Sequence, residues 1–321
     1  MNSSSLIHVP KTEAELTQLK NSLPQELWFN GNPMYLYQGF WTQKLESLVA
    51  FQNHFEAHDT DIFITSARKA GTTWLKALVY AICNRANHPP SESPLLVHNP
   101  HELVPQLESN TYFKSKCPDL SSLKSPRLFG THVPYPSLPS SIKDTNCKII
   151  YIYRNPFDTL VSSLLFYQSV DDNKTLKPEL LGQFFDMFCE GRIPFGPFED
   201  HVLGYWKQSL ERPHKVLFVK YEDLKADPKP HLKKVAEFVG CPFSEEEEMG
   251  SVIDGIVKLC SLEKLKDVAT SNKSARVYSS IQNEKFFRKG VVGDWVNYLT
   301  PSMVERLEKL MQEKFSGSGL L

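Results

Sequence analysis

The chain has 321 residues, of which 41% are hydrophobic and 12% aromatic, and its formal net charge is −1. That length supports a large packed core. The balanced charge gives no general attraction to nucleic acid, so any anion site must be built locally from a few placed cations and backbone N–H groups. The opening MNSSSLIHVPKTEAEL lacks a charged segment followed by an apolar one, and no apolar run approaches the ~20 residues of a membrane span. A cytoplasmic chain with no membrane partner is therefore expected. Cys83, Cys117, Cys147, Cys189, Cys241 and Cys260 are scattered singly. With no CxxC pair, a zinc site is not expected, and free, mostly buried thiols are. The sequons at Asn2, Asn173 and Asn272 read as chance matches.

Residues up to about 45 are mixed and loop-rich, with an aromatic cluster of Tyr35, Tyr37, Phe40 and Trp41. DIFITS (61–66) predicts a buried strand. TTWLKALVYAICNR predicts a helix with Trp74, Leu75, Leu78, Val79 and Ile82 on one face. KIIYIY (148–153) is a second strand, after which Asn155-Pro156 reads as N-cap and first helical residue. KVLFVK (215–220) is a third, and Asp227-Pro228 opens a helix ending near Gly240. Strands alternating with helices predict an α/β fold, with a central, mostly parallel sheet flanked by helices. We read a single domain over 1–321 with loose ends at 1–23 and 316–321. Ligands of such sheets bind beyond the carboxyl ends of the strands.

Four segments carry candidate chemistry. In ARKAGTTWL (67–75), Gly71 permits a tight turn, Thr72 and Thr73 open a helix whose free N–H groups favour an anion, and Lys69 adds a full charge. The lysine precedes the glycine, so this is not the GxxxxGK[ST] loop, and an ordinary capped turn reads equally well. YRNPFDTLVS (153–162) sets Arg154 at a strand end and Ser162 two helical turns on, a pair able to grip a phosphate. The plainer reading pairs Arg154 with Asp158 on the surface. FFRKGVVGDW (286–295) offers Arg288 and Lys289 before a permissive Gly290. In GTHVPYP (130–136), His132 has the pKa range of a general base. His98 and His101 are separated by Pro100, which breaks ligand spacing, and SEEEEMG (244–250) reads as a capping box rather than an acidic ligand cluster.

In order and spacing, these segments resemble plant-type cytosolic sulfotransferases from about residue 24 to 320. ARKAGTTWLKAL is similar to the family's YPK[ST]GTTWLKAL loop, YRNPFDTLVS to its 3′-phosphate motif, FRKGVVGDW to its Arg-Lys-Gly loop and VKYEDLKADP to its adenine-side segment. The resemblance implies a P-loop-like nucleotide-binding core. It also implies sulfuryl transfer from 3′-phosphoadenosine 5′-phosphosulfate to a hydroxyl of a small, largely apolar metabolite, leaving 3′-phosphoadenosine 5′-phosphate (PAP), without a metal. By the same resemblance, Lys69, Gly71, Thr72 and Thr73 hold the 5′-phosphosulfate, flanked by Arg68 and Ala70. Trp74, Tyr221 and Leu262 border the adenine. Arg154, Ser162, Arg288, Lys289 and Gly290 hold the 3′-phosphate, and His132 is the base, with Lys69 assisting catalysis. The acceptor pocket is expected from loops around 35–41, 103–108, 163–168 and 192–201, with Tyr37, Trp41, Gln106, Phe166, Phe195 and Glu199 as candidates.

The chain departs from the family pattern at Arg68 (usually proline), Ala70 (usually Ser or Thr) and Leu262 (usually phenylalanine). Gln106 and Glu199 stand where aromatics are common, which suggests a more polar or cationic acceptor. The family's dimer motif in animal members is degraded here (Val296, Thr300, Pro301, Glu305), which favours a monomer. Two rival readings stay open. One is a non-catalytic nucleotide-binding member of the fold. The other is an enzyme whose sulfate is a leaving group, so that the product is rearranged or cyclised.

Overall fold

The computed structural model describes residues 9–29, 31–170, 178–271, 276–277 and 281–320, so the three sequons lie outside the described residues. Its centre is a parallel sheet of β1 (Ile62–Thr65), β2 (Leu128–Thr131), β3 (Lys148–Tyr153) and β4 (Val216–Lys220), in the order β2-β1-β3-β4. Residues along β1 and β3 alternate between two apolar layers. Phe63, Ile149 and Tyr151 enter one. Ile62, Ile64, Ile150 and Ile152 enter the other. Burial on both faces is why these strands read as continuous apolar runs.

Helices cover both faces. α1 (Thr72–Asn84) and α4 (Pro228–Phe238) bury Leu75, Leu78, Val79, Ile82, Leu232 and Val235 against one layer. α2 (Pro156–Val170), α3 (Phe198–Glu211) and α5 (Pro301–Phe315) bury Leu160, Leu164, Val202, Leu307 and Phe315 against the other. Trp74, expected on the buried face of α1, is only half-buried and lines a cavity instead. α2 starts as expected: the Asn155 side chain accepts from Asp158 N at 2.8 Å. The capping box at Ser244 and Glu247 is formed. Asp227 precedes α4 but makes no side-chain cap.

Three features differ from the sequence reading. Strand β2 lies in a segment read only as an apolar stretch; it is four residues long and contains Gly130, too little pattern to announce a strand. The stretch before residue 45 holds a helix, Glu13–Ser22, and a three-stranded antiparallel sheet of Gln25–Leu27, Pro33–Tyr37 and Phe40–Thr42. The tail is tied down rather than loose: Trp206 Nε1 donates to Ser318 O at 2.8 Å and Leu320 is buried. The six cysteines are free thiols, with Cys147 and Cys260 buried and Cys117 exposed.

The amino ends of β1 and β2 are clamped by a buried ion pair. Arg127 donates through Nε to Asp61 Oδ1 at 2.8 Å and through Nη2 to Oδ2 at 2.6 Å. Removing one partner strands the other charge in the core, at a cost of about 3–5 kcal/mol. Asp61→Asn is expected to lower unfolding stability by about 3 kcal/mol, and the double variant with Arg127→Met to recover part of that loss. Denaturant melts of the three proteins check this; a single variant as stable as the parent would show that the clamp carries no stability.

Candidate functional site

The carboxyl ends of β1, β2 and β3 open into one cavity of about 880 Å³. The turn after β1 holds Lys69 at φ +65° and Gly71 at φ +110°. A non-glycine residue at positive φ costs on the order of 1–3 kcal/mol and is kept where surrounding structure demands it. Here the kink lays Lys69 Nζ 4.0 Å above the Phe166 ring, on the cavity wall. Gly71 caps α1 without a side-chain hydrogen bond, leaving the helix's first-turn N–H groups for a ligand. Ser66 and Thr72 hydroxyls bond each other across the turn.

Arg154 leaves the end of β3 and is 5% exposed. Its Nη2 donates to Val291 O at 2.6 Å and lies 3.4 Å from Asp158. The expected Arg154–Asp158 pair therefore exists, but it is buried rather than on the surface. Arg154 Nε is buried with no acceptor. Asp158 spends its carboxylate on the glycine-rich loop, accepting from Gly293 N at 2.8 Å and Trp295 N at 3.3 Å. Asp294 pairs with both Arg288 and Lys289. Burial works against its charge, yet hydrogen bonds from Arg288, Lys289 and Asn297 hold its carboxyl at about 2. Tyr221 OH donates to Gly290 O at 3.1 Å, closing the loop over the cavity.

These groups press on Lys69. Burial first, then the charges of Arg68, Arg288 and Arg154, push its pKa down to about 7. The result is a cavity wall rich in cations. Arg154 Nε, the capless start of α1 and the depressed lysine together fit phosphate and sulfate oxygens.

His132 stands on the other wall. Its Nδ1–H donates to Ser66 O at 2.9 Å, which leaves Nε2 as the proton acceptor. Burial and then the Arg68 charge push its pKa well below the ordinary value, so the ring is neutral. Its backbone is held as well: His201 Nε2–H donates to His132 O at 2.8 Å, and Tyr151 OH donates to His201 Nδ1 at 2.9 Å. Glu108 accepts from His132 N at 3.1 Å.

Most of the residues singled out from sequence meet here. Arg68, Lys69, Gly71, Thr72, Thr73 and Trp74 line the cavity from one side, and Arg154, Ser162, Tyr221, Leu262, Arg288 and Gly290 from the other. Gln106, His132, Phe166 and Phe195 complete the wall. Five lie apart. Ala70 is fully buried behind the turn, and Lys289 is engaged by Asp294. Tyr37 bonds Gln52 and Gln38, Trp41 packs in the core, and Glu199 is buried and faces Lys314 at 3.3 Å. The suggestion of a cationic acceptor drawn from Glu199 loses its ground, since this carboxylate does not reach the cavity. Sequence reasoning passed over Lys44, His101 and Phe286 on the wall, and Tyr151 and His201 behind it. Among these only the histidines carried any signal. Among the described residues no group of three or more His, Cys, Asp or Glu is placed to hold a metal.

A parallel sheet with a cation-bearing left-handed turn after its first strand and a neutral histidine on the same cavity suggests a class, and comparison identifies it. Residues 59–319 match the family model described as "Sulfotransferase domain". The chain belongs to the sulfotransferase family. It is 45% identical to Cytosolic sulfotransferase 15 of Arabidopsis thaliana, over 97% of this chain and 90% of that one. It is also 45% identical to Cytosolic sulfotransferase 5 of the same plant, over 98% of each. Among solved structures, an Arabidopsis thaliana putative steroid sulphotransferase superposes with a TM-score of 0.75 at 40% identity, over 98% of this chain and 99% of that one. A mouse sulfotransferase complexed with PAP superposes with a TM-score of 0.70 at 29% identity, over 89% and 95%.

Gly71 meets two constraints at once. A Cβ there would lie 2.7 Å from Tyr221 Cδ2, at a φ that L-residues avoid. Gly71→Ala is expected to cost about 2 kcal/mol or more in denaturant melts, whereas Gly39→Ala, at φ +85° in open space, pays the backbone strain alone, about 1 kcal/mol. Equal losses would show that Tyr221 does not press on the turn.

Proposed function

We propose that this sulfotransferase moves a sulfuryl group from 3′-phosphoadenosine 5′-phosphosulfate to a hydroxyl of a small, largely apolar plant metabolite, with His132 as general base. The observation that carries this reading is the pairing, across one cavity, of a cation-rich wall with a neutral imidazole whose Nδ1–H is already spent on Ser66 O. The relatives' names support a cytosolic setting, and the complex of the mouse relative with PAP supports the donor.

The donor brings a sulfuryl group on a phosphate leaving group; the chain supplies the rest. Lys69, Thr72, Thr73 and the α1 N-terminus hold the 5′ side, while Arg154, Ser162 and Arg288 hold the 3′-phosphate. Trp74 and Tyr221, with ring centres 5.4 Å apart, and Leu262 frame the base. His132 Nε2 takes the acceptor's proton as the acceptor oxygen bonds to sulfur and the sulfur–phosphate oxygen bond breaks. Lys69 and the helix N–H groups then stabilise the charge that builds on the leaving phosphate.

His132→Ala is expected to lower transfer by about 10²–10⁴-fold with PAP affinity little changed, because the imidazole serves the acceptor. Arg154→Met, by contrast, should weaken PAP far more than adenosine 5′-monophosphate in calorimetry. Retained turnover in the first variant, or equal losses for both nucleotides in the second, would reassign these residues.

Lys69 gives a proton-linked test. Its pKa is near 7 in the free site, and a bound polyanion raises it. The bound state therefore holds more proton, so PAP affinity is full below about pH 7 and declines as pH rises toward the bound pKa. Calorimetry of PAP binding at pH 8 in buffers of different ionisation enthalpy should register proton uptake, which Lys69→Met abolishes. Binding without uptake would mean that Lys69 is already charged in the free protein.

A further inference from the structure

Arg68 stands where the family pattern has proline, and it lines the cavity together with Lys44, which comes from the turn before the helix Leu45–His54. Lys44 Nζ sits 3.6 Å above the Phe113 ring, and the Arg68 guanidinium is 6.0 Å from the Phe195 ring centre, itself beside His132. The two cations repel each other: after burial, the Arg68 charge is what lowers the Lys44 pKa. Arg68 bears on Lys69 as well. Glu46, the carboxylate that favours the Lys44 charge, is already taken by Lys20 at 2.5 Å. Among the described residues Glu284 is the one acid on the cavity wall, and its neighbour Lys285 lines that wall too. Two half-buried cations on the wall that also carries His132, next to apolar rings, describe a site for a second, smaller anion.

We infer that the acceptor is itself anionic: a hydroxylated carboxylic acid whose carboxylate is held by Arg68 and Lys44 while its apolar body lies against Phe113 and Phe195 and its hydroxyl reaches His132. This deepens the sulfotransferase reading and rests on it. A charge-assisted pair of this kind separates an acid from its uncharged ester by about tenfold or more.

The test uses the full chain and two matched pairs: 3-(4-hydroxyphenyl)propanoate with its methyl ester, and 12-hydroxydodecanoate with its methyl ester. Binding is read by calorimetry of the chain saturated with PAP, and transfer with labelled donor and no added PAP. At least one acid is expected to bind, and be sulfated, about tenfold or more better than its ester, and Lys44→Met to remove most of that difference. Adding salt should narrow the gap for the acid. Acids no better than their esters on both scaffolds, or a preference that survives Lys44→Met intact, overturns the inference. The parallel PAP titration separates the two levels. PAP bound and esters sulfated with no advantage to the acids defeats the anionic acceptor alone. Failure to bind PAP defeats the sulfotransferase reading and this inference with it.

Discussion

The site depends on the accumulation of like charge at one end of the sheet. Arg68, Lys69, Arg154 and Arg288 converge on a cavity where burial weakens solvent screening, so each raises the cost of the others. Such a cluster persists only if the fold over-determines it. The left-handed turn at Lys69 and Gly71 is anchored by β1 on one side and α1 on the other. Asp158 and Asp294 hold the loop that carries Arg288, and each also pairs with one cation of the cluster, Asp158 with Arg154 at 3.4 Å and Asp294 with Arg288. A bound polyanion would relieve that repulsion, so a local anion site needs no positive net charge on the chain, which carries −1.

The same cavity holds a neutral imidazole. Burial first, and then the charge of Arg68, keep His132 unprotonated. Its orientation is set from behind, through Ser66 O on the ring and through His201 and Tyr151 on its carbonyl. His201, pushed down to about 4 by burial, is neutral too and serves as a rigid link rather than a second base. Electrostatics and hydrogen bonding thus select one tautomer and one protonation state for one ring.

What was legible in the sequence follows from how each feature is encoded. Strands β1, β3 and β4 are apolar on both faces, so their runs stand out and their bounds were read to within a residue. Strand β2 hides because Gly130 and Thr131 make up half of it. The cations of the cavity sit in contiguous motifs at strand ends, where local order alone places them together. The wall around Lys44, Phe113 and Phe195 is assembled from segments far apart in the chain, so nothing local marks it. Glu199 illustrates the difference: its departure from the family pattern is visible in the sequence, but only the packing of α3 against α5 shows that it meets Lys314.

Gly130 connects the two sides of the site. A Cβ there would lie 2.5 Å from Lys76 Nζ, so only glycine lets this lysine of α1 pass against β2. Lys76 is fully buried, and burial pulls its pKa to about 7 against the pull of Glu108. It donates to Val104 O at 2.9 Å and to Gln106 Oε1 at 2.8 Å. Gln106 donates in turn to Glu108 Oε1, which also receives the His132 N–H. The helix that begins at Thr72 is thereby joined through three polar residues, Lys76, Gln106 and Glu108, to the backbone of His132. Gln106, which looked from sequence like a change in acceptor preference, is better understood as a member of this buried chain: an aromatic ring in its place would leave the Lys76 ammonium and the Glu108 carboxylate without a partner between them.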